Sequence, residues 1–278
     1  MSTNYKPGLK TVGPRMAQLL TALHDRSQTT FTLRDVERFT GLGSNLASSL
    51  IHKAGKRGLV SRLKRGLFVI VPSELGSTTE YSGNPYLVAR QLAGDAPYFI
   101  SHASAMELHR MVTQPQLVVF ASSTRRIPSR TLQGTEFHFV LVKRAHFFGT
   151  AKHWVTKQEF VHVSDLERTV IDGLRQPAYC GGLADVAKAL WMRHKDMQTV
   201  KLVDYALRLR VGAVTRRLGY LLDLYAIAPD AQLKRLRDAL TKTYIRLDPT
   251  LPMEGPHLAR WRVQLNITSQ ELQAIRAT

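Results

Sequence analysis

From Pro14 to Val71 the sequence sets three short helical patterns ahead of two apolar strands parted only by Lys64-Arg65-Gly66, an order of elements that few small folds accommodate. Pro14 suits the first turn of a helix, where its missing N–H costs nothing, and Met16, Leu19, Leu20 and Leu23 follow at helical spacing. Thr32 is placed to cap a second helix, with Asp35 answering it in a capping box and Leu33, Val36 and Phe39 on the inner side before Gly41 and Gly43 end it. A third helix is expected from Ser44 to Lys56. At ~100° per residue, Ala47, Leu50, Ile51 and Ala54 share one arc, and Asn45, Ser49, His52 and Lys56, flanked by Ser48 and Lys53, share the opposite one. Leu59–Leu63 and Leu67–Val71 then read as strands, with Gly66 in the positive-φ position of a tight hairpin.

The charge on this pattern is one-sided. His52, Lys53, Lys56, Arg57, Arg62, Lys64 and Arg65 fall within fourteen residues that contain no acid. Three helices and a hairpin, with cations on the third helix and the hairpin tip, read as a winged helix-turn-helix. A helix entering a major groove hides one face in its own domain and offers polar groups on the other. Asn45 suits adenine, His52 and Lys56 could donate to guanine, and Ser48 and Ser49 are short enough to reach a phosphate or base edge. Lys53, Arg57, Arg62, Lys64 and Arg65 would hold backbone or minor groove, so these ten residues form the expected interface with double-stranded DNA. The whole chain supports a polyanionic partner: 39 Lys and Arg against 21 Asp and Glu give a net charge of +18. Each phosphate neutralised by such a chain releases condensed counterions.

The expected fold class is α+β, an N-terminal winged helix-turn-helix followed by a larger mixed α/β domain. Residues 1–13 read as a flexible arm, 14–75 as the winged module, 76–84 as a small, polar linker and 85–278 as the second domain. In that domain Asn84 and Pro85 start a helix toward Ala93, and Ser101 caps another. Strands are expected at Leu117–Ala121, Phe137–Val142 and Phe160–Val163. Ser164 is expected to cap a helix with Glu167 at its capping-box position. Helical periods follow at Leu183–Arg193, Val200–Arg210, Val214–Ala226 and Ala231–Tyr244, and Trp261, Val263 and Leu265 alternate as a late strand. Arg208, Arg210, Arg216, Arg217, Lys234, Arg235 and Arg237 on these helices are expected on the surface, either as a solvated face or as an extension of the basic track.

Chemistry of its own is not expected. His102 and His109 are two turns apart and lack the i, i+4 spacing and acidic partner of a helical metal site, so no metal is expected. Asp165, Glu167 and Asp172 have no following Lys to complete a nuclease pattern, and nucleophile-elbow, P-loop and dinucleotide motifs are missing. Gly181-Gly182 reads as a turn, Cys180 as a buried structural thiol, and His138 and His162 as outward-facing strand residues. An enzyme and a cofactor are therefore not expected. A lone cysteine, no signal-peptide pattern and no apolar run of ~18–20 residues lead us to expect a cytoplasmic protein with no membrane partner.

Four segments carry a resemblance. They are Lys64-Arg65-Gly66-Leu67-Phe68-Val69; Ile100-Ser101-His102-Ala103-Ser104-Ala105-Met106-Glu107-Leu108-His109; Asp165 to Pro177 with Gly181-Gly182; and Arg216-Arg217-Leu218-Gly219-Tyr220-Leu221-Leu222. In this order they resemble the basic wing, the S-A-x-x-L-H helix, the E-R-T-x-x-D…P…G-G block and the R-R-L-G-Y-L segment of the AbiEi antitoxins. These are the DNA-binding halves of type IV toxin–antitoxin (abortive infection) systems. Arg110 stands where members of that family often carry Gly, and Phe68 where Tyr is frequent. The resemblance implies a repressor of its own operon at inverted repeats; two copies are expected on such a site because one module, with contacts of ~1–3 kcal/mol each, discriminates weakly. It also implies antagonism of a nucleotidyltransferase-like toxin without a stable complex. Two other readings stay open from the residues: a one-component regulator with a ligand-sensing second domain, and a nucleic-acid-processing enzyme delivered by the winged module.

Overall fold

The computed structural model describes residues 10–75, 81, 83–112, 114, 117–132 and 134–277. Most of the expected arm (1–9) and linker (76–80 and 82) lies outside these residues. The chain divides into two units, one made of Met1–Gly94, Ser129–Phe137 and His153–Val161, the other of Asp95–Pro128, His138–Lys152 and His162–Thr278.

Unit 1 opens with α1 (Pro14–Asp25), β1 (Thr30–Thr32), α2 (Leu33–Thr40) and α3 (Ser44–Lys56). The hairpin β2 (Val60–Lys64) and β3 (Leu67–Ile70) follows, and α4 (Pro85–Ala93) closes its first stretch. Of the four expected caps, those of Thr32 and Asn84 form, while Ser101 stands at the N-cap of its helix without a side-chain capping bond. Thr32 accepts from the Asp35 N–H while the Asp35 carboxylate accepts from the Thr32 N–H, and Asn84 accepts from the N–H groups of Tyr86 and Leu87. Such a cap contributes ~1 kcal/mol by satisfying donors that no helix carbonyl reaches. The three-stranded sheet is ordered β1-β3-β2 and wholly antiparallel. Its core joins Met16, Leu19 and Leu23 of α1 to Phe31, Val36, Ala47 and Ile51. Glu159, almost fully buried, ties the third stretch of the unit to the first: it accepts from the Thr29 N–H and hydroxyl at 3.3 and 3.0 Å and pairs with Arg90 at 2.7 Å.

The remaining elements are β4 (Tyr98–Ile100), α5 (His102–Leu108), β5 (Val118–Ser123), β6 (Arg130–Leu132), β7 (Thr135–Leu141), β8 (Thr150–Trp154), β9 (Phe160–Ser164), α6 (Leu166–Arg175), α7 (Leu183–Arg193), α8 (Thr199–Leu209), α9 (Gly212–Leu224), α10 (Asp230–Asp238), β10 (Ile245–Arg246), β11 (His257–Leu258), β12 (Val263–Gln264) and α11 (Ser269–Ala274). Six strands form one sheet in the order β6-β7-β5-β4-β9-β8, and β10, β12 and β11 form a small second one. The fold is thus mixed α+β, as expected. Helices α6 to α9 build the core of unit 2, with Val170, Ile171, Leu190, Val203, Leu218 and Trp261 among its buried members.

Three expectations need correction here. Arg216 and Arg217 are not on the surface; they are 2% and 5% exposed. Arg216 donates to the Gly212 and Thr241 carbonyls, and Arg217 to those of Leu247 and Leu174, so each guanidinium is buried on backbone carbonyls. Burial lowers the Arg217 pKa to about 10, against the pull of Asp248. Second, α6 is capped by Asp165, which accepts from the Arg168 N–H, and not by Ser164, which ends β9 with its hydroxyl on Thr169 and the Ile100 carbonyl. Glu167 therefore makes no capping box and instead accepts from Lys201 and the Gln198 N–H. Burial alone would raise Glu167, but those hydrogen bonds prevail and hold it below the usual carboxylate range. Third, His138 is half-buried, its ring packed on Phe120 and Tyr179 at 5.5 and 5.1 Å. Arg110, where a Gly was noted as frequent, takes φ +56°, the left-handed conformation that glycine adopts without strain.

Candidate nucleic-acid interface

Helix α3 follows Gly43 in extended conformation and buries Ala47, Ile51 and Ala54. Side chains four and seven residues apart stack on one side of a helix, so the same periodicity that hides these three turns Asn45, Ser48, Ser49, His52, Lys53 and Lys56 outward; all six are exposed. The hairpin beside it turns through Gly66 at φ +77°. Arg57, Arg62 and Arg65 are exposed as well.

Lys64 behaves differently. The β2–β3 register shifts between Arg62 and Lys64, a bulge that breaks the alternation by which both would share one face. Lys64 is half-buried with its Nζ 3.5 Å from the Gln91 carbonyl. Burial, and then the charge of Arg130, lower its ammonium pKa.

A groove of about 610 Å³ runs between α3 and the hairpin. Ser48, His52 and Lys56 line it from the helix and Arg62 and Arg65 from the hairpin, and no acidic residue is among its walls. Lys53 and Arg57 face a separate hollow of about 180 Å³ on the α1 side, while Asn45 and Ser49 stand on the open crest. The ten expected residues are thus split, five in the groove, two on the α1 side, two on the crest and Lys64 turned aside.

Two residues were not anticipated. Leu46 is 62% exposed in the first turn of α3, next to Asn45. It is off the helix's apolar arc, which is the signal that could have marked it, and an exposed methyl group there could meet a thymine methyl. Arg130, exposed on β6, acts on Lys64 from a stretch far along the chain, and nothing in its local sequence announces that. Among the described residues no cluster of His, Cys, Asp or Glu is arranged to hold a metal ion, and no helix is long and apolar enough to cross a membrane.

No protein-family model matches the chain, and no curated protein does. Among solved structures its fold is similar to that of the Rv2827c protein from Mycobacterium tuberculosis, with a TM-score of 0.70 and 16% identity over 98% of this chain and 97% of that one. Likeness at this identity speaks to the fold over nearly the full length of both chains.

Proposed function

We propose that unit 1 is a winged helix-turn-helix that binds double-stranded DNA, and that the protein is a transcriptional repressor and antitoxin of the AbiEi type. The observation that carries this reading is the acid-free groove joining the exposed ridge of α3 to Arg62 and Arg65. A helix ridge of Asn, Ser, His and Lys beside two arginines matches what base edges and phosphates accept. The three-helix and hairpin order and the net charge of +18 support it further. In this reading Asn45, Ser49 and His52 lie over base edges, Arg62 and Arg65 hold the backbone, and two copies occupy an inverted-repeat operator, because one module with contacts of ~1–3 kcal/mol each has little discrimination.

The test is fluorescence anisotropy with duplexes from the region upstream of the protein's own gene. Binding should be steeply salt-dependent, with two chains per site. Replacing Asn45 or His52 by Ala should relax preference at particular base pairs. Absence of binding in dilute buffer, or equal loss of affinity across all sequences in both variants, would contradict the proposal. For the antitoxin role, co-expression should relieve the toxicity of a nucleotidyltransferase-like partner without co-purification; growth arrest that persists at full expression would remove that half of the reading.

A further inference from the structure

Unit 2 contains a concentration of buried polar atoms that the protein does not satisfy. Arg168, Asp172 and Arg175 stand at i, i+4 and i+7 on α6 and so share one face of the helix. Arg168 and Asp172 are 0% and 1% exposed and pair at 2.9 Å, with the guanidinium 4.4 Å above the Phe148 ring. His102, 1% exposed at the start of α5, His146 after β7, and Gln176 just beyond α6 complete the group. In each of the six residues a buried atom lacks a hydrogen-bond partner: Nη1 of Arg168 and of Arg175, Nδ1 of His146, Nε2 of His102, Oδ2 of Asp172 and Oε1 of Gln176. His102 and Gln176 lie close enough to act on one another.

Buried polar atoms are nearly always paired, so six unpaired ones in one cluster call for a physical account. Asp172, Arg168 and Arg175 each act electrostatically on both imidazoles. His102 also holds φ +52°, a strained conformation for a residue with a side chain, of a kind that gathers at working sites. Its Nδ1 is engaged by the Ser101 hydroxyl at 2.9 Å, which leaves Nε2 for the cluster. Tyr179 stands against the His102 ring at 5.4 Å and packs on Phe120 at 5.2 Å, giving the group an aromatic wall.

The donors decide the ligand. Two guanidiniums against one carboxylate leave a net positive charge, which selects an anion, and the two imidazoles, whose pKa values burial lowers, add donors rather than charge. The free Asp172 Oδ2 then requires that the anion carry a proton to donate. Hydrogen phosphate has such a hydroxyl at neutral pH; sulfate and simple carboxylates do not. We propose that this cluster is a binding site for inorganic hydrogen phosphate, with Arg175 and His146 donating to its oxygens and Asp172 accepting its hydroxyl. The proposal is independent of the DNA-binding reading.

Isothermal titration of the full-length protein, free of DNA, tests it with three probes at matched ionic strength: sodium phosphate, adenosine 5′-monophosphate and sodium sulfate. Saturable binding of phosphate with a stoichiometry of one, and at least ~10-fold weaker binding of sulfate, is expected. The nucleotide, whose phosphoryl is mostly dianionic at neutral pH and offers no hydroxyl to Asp172, should likewise bind at least ~10-fold more weakly than phosphate. Arg175→Ala and, separately, His146→Ala, each checked for native near-UV circular dichroism, should weaken binding ~10-fold or more. Arg235→Ala removes the same charge from an exposed ion pair elsewhere in unit 2 and should leave it unchanged. Sulfate or nucleotide binding as tightly as phosphate, equal weakening in Arg235→Ala and Arg175→Ala, or no saturable heat with phosphate would overturn the proposal.

Discussion

The bulge in β2 makes a prediction that separates three neighbouring cations. If Arg62 and Arg65 each neutralise one phosphate, each contributes about 0.9 to the slope of log affinity against log salt. Removing both should flatten the slope by about 1.8 and, at about 0.1 M salt, lower affinity roughly 60-fold. Lys64 should not follow. Its ammonium is directed at the Gln91 carbonyl, half-buried, and lowered in pKa by burial and by Arg130. Reaching a phosphate would require it to leave that carbonyl and re-form its hydration, so Lys64→Ala should change affinity less than ~2-fold with the slope intact. The assay is anisotropy of one labelled duplex titrated at several salt concentrations with the wild type, Lys64→Ala and Arg62→Ala/Arg65→Ala. If Lys64→Ala flattens the slope by about 0.9, like a single arginine variant, the amine is a phosphate ligand and the reasoning from the bulge fails.

Two further outcomes concern unit 2. Gly219 sits in the middle of α9, where Ala would ordinarily gain ~1 kcal/mol of helix propensity. Here its Cβ would overlap the Trp261 ring, even Cη2 standing only 2.6 Å away, and that ring is fully buried and held by Nε1 on Asp223 at 2.8 Å. Overpacking of ~1–3 kcal/mol or more should outweigh propensity, so Gly219→Ala should lower the urea midpoint with an unchanged m-value; a raised midpoint would show that the indole yields freely. His102, buried, has its pKa lowered from 6.5 to about 4, with Asp172 partly opposing the effect of burial. Because the unfolded chain takes up the proton first, the stability associated with neutral His102 is complete above about pH 6.5 and is lost as pH falls toward 4, a change of about 3 kcal/mol. His102→Asn, which tolerates the left-handed backbone, should remove that part of the acid dependence; identical slopes for wild type and variant would dismiss it.

Local patterns were the legible part of the sequence. The bounds of α3, the Thr32–Asp35 capping box and the Asn84 cap follow from spacing within one helix, and the structure reproduces them. Strands β1 and β4 were not foreseen, because three residues have no readable period and are strands only through their pairing with β3 and β5. Arg216 and Arg217 mislead for a related reason: charge suggests solvent, and the carbonyls that hold them belong to Thr241 and Leu247, well down the chain. At α6 two adjacent residues could each have capped the helix, and the commitment of Ser164 to β9 left the role to Asp165. The ridge of the candidate interface was visible in the sequence because it lies on one helix. The bulge that withdraws Lys64 was not, and neither was the polar cluster, which gathers His102, His146 and the face of α6 from three separate segments.

The seating of Glu159 against Thr29 and Arg90 has a consequence for ancestry. Unit 1 is assembled from three stretches of chain, so a crossover at the end of its first stretch would not pass it whole to another gene. A crossover after Gly94 would deliver the helices and hairpin but strip Arg90 of its carboxylate. Descendants of such an exchange would need a replacement acid near residue 29, or a neutral residue at 90, and their sequences would record that repair.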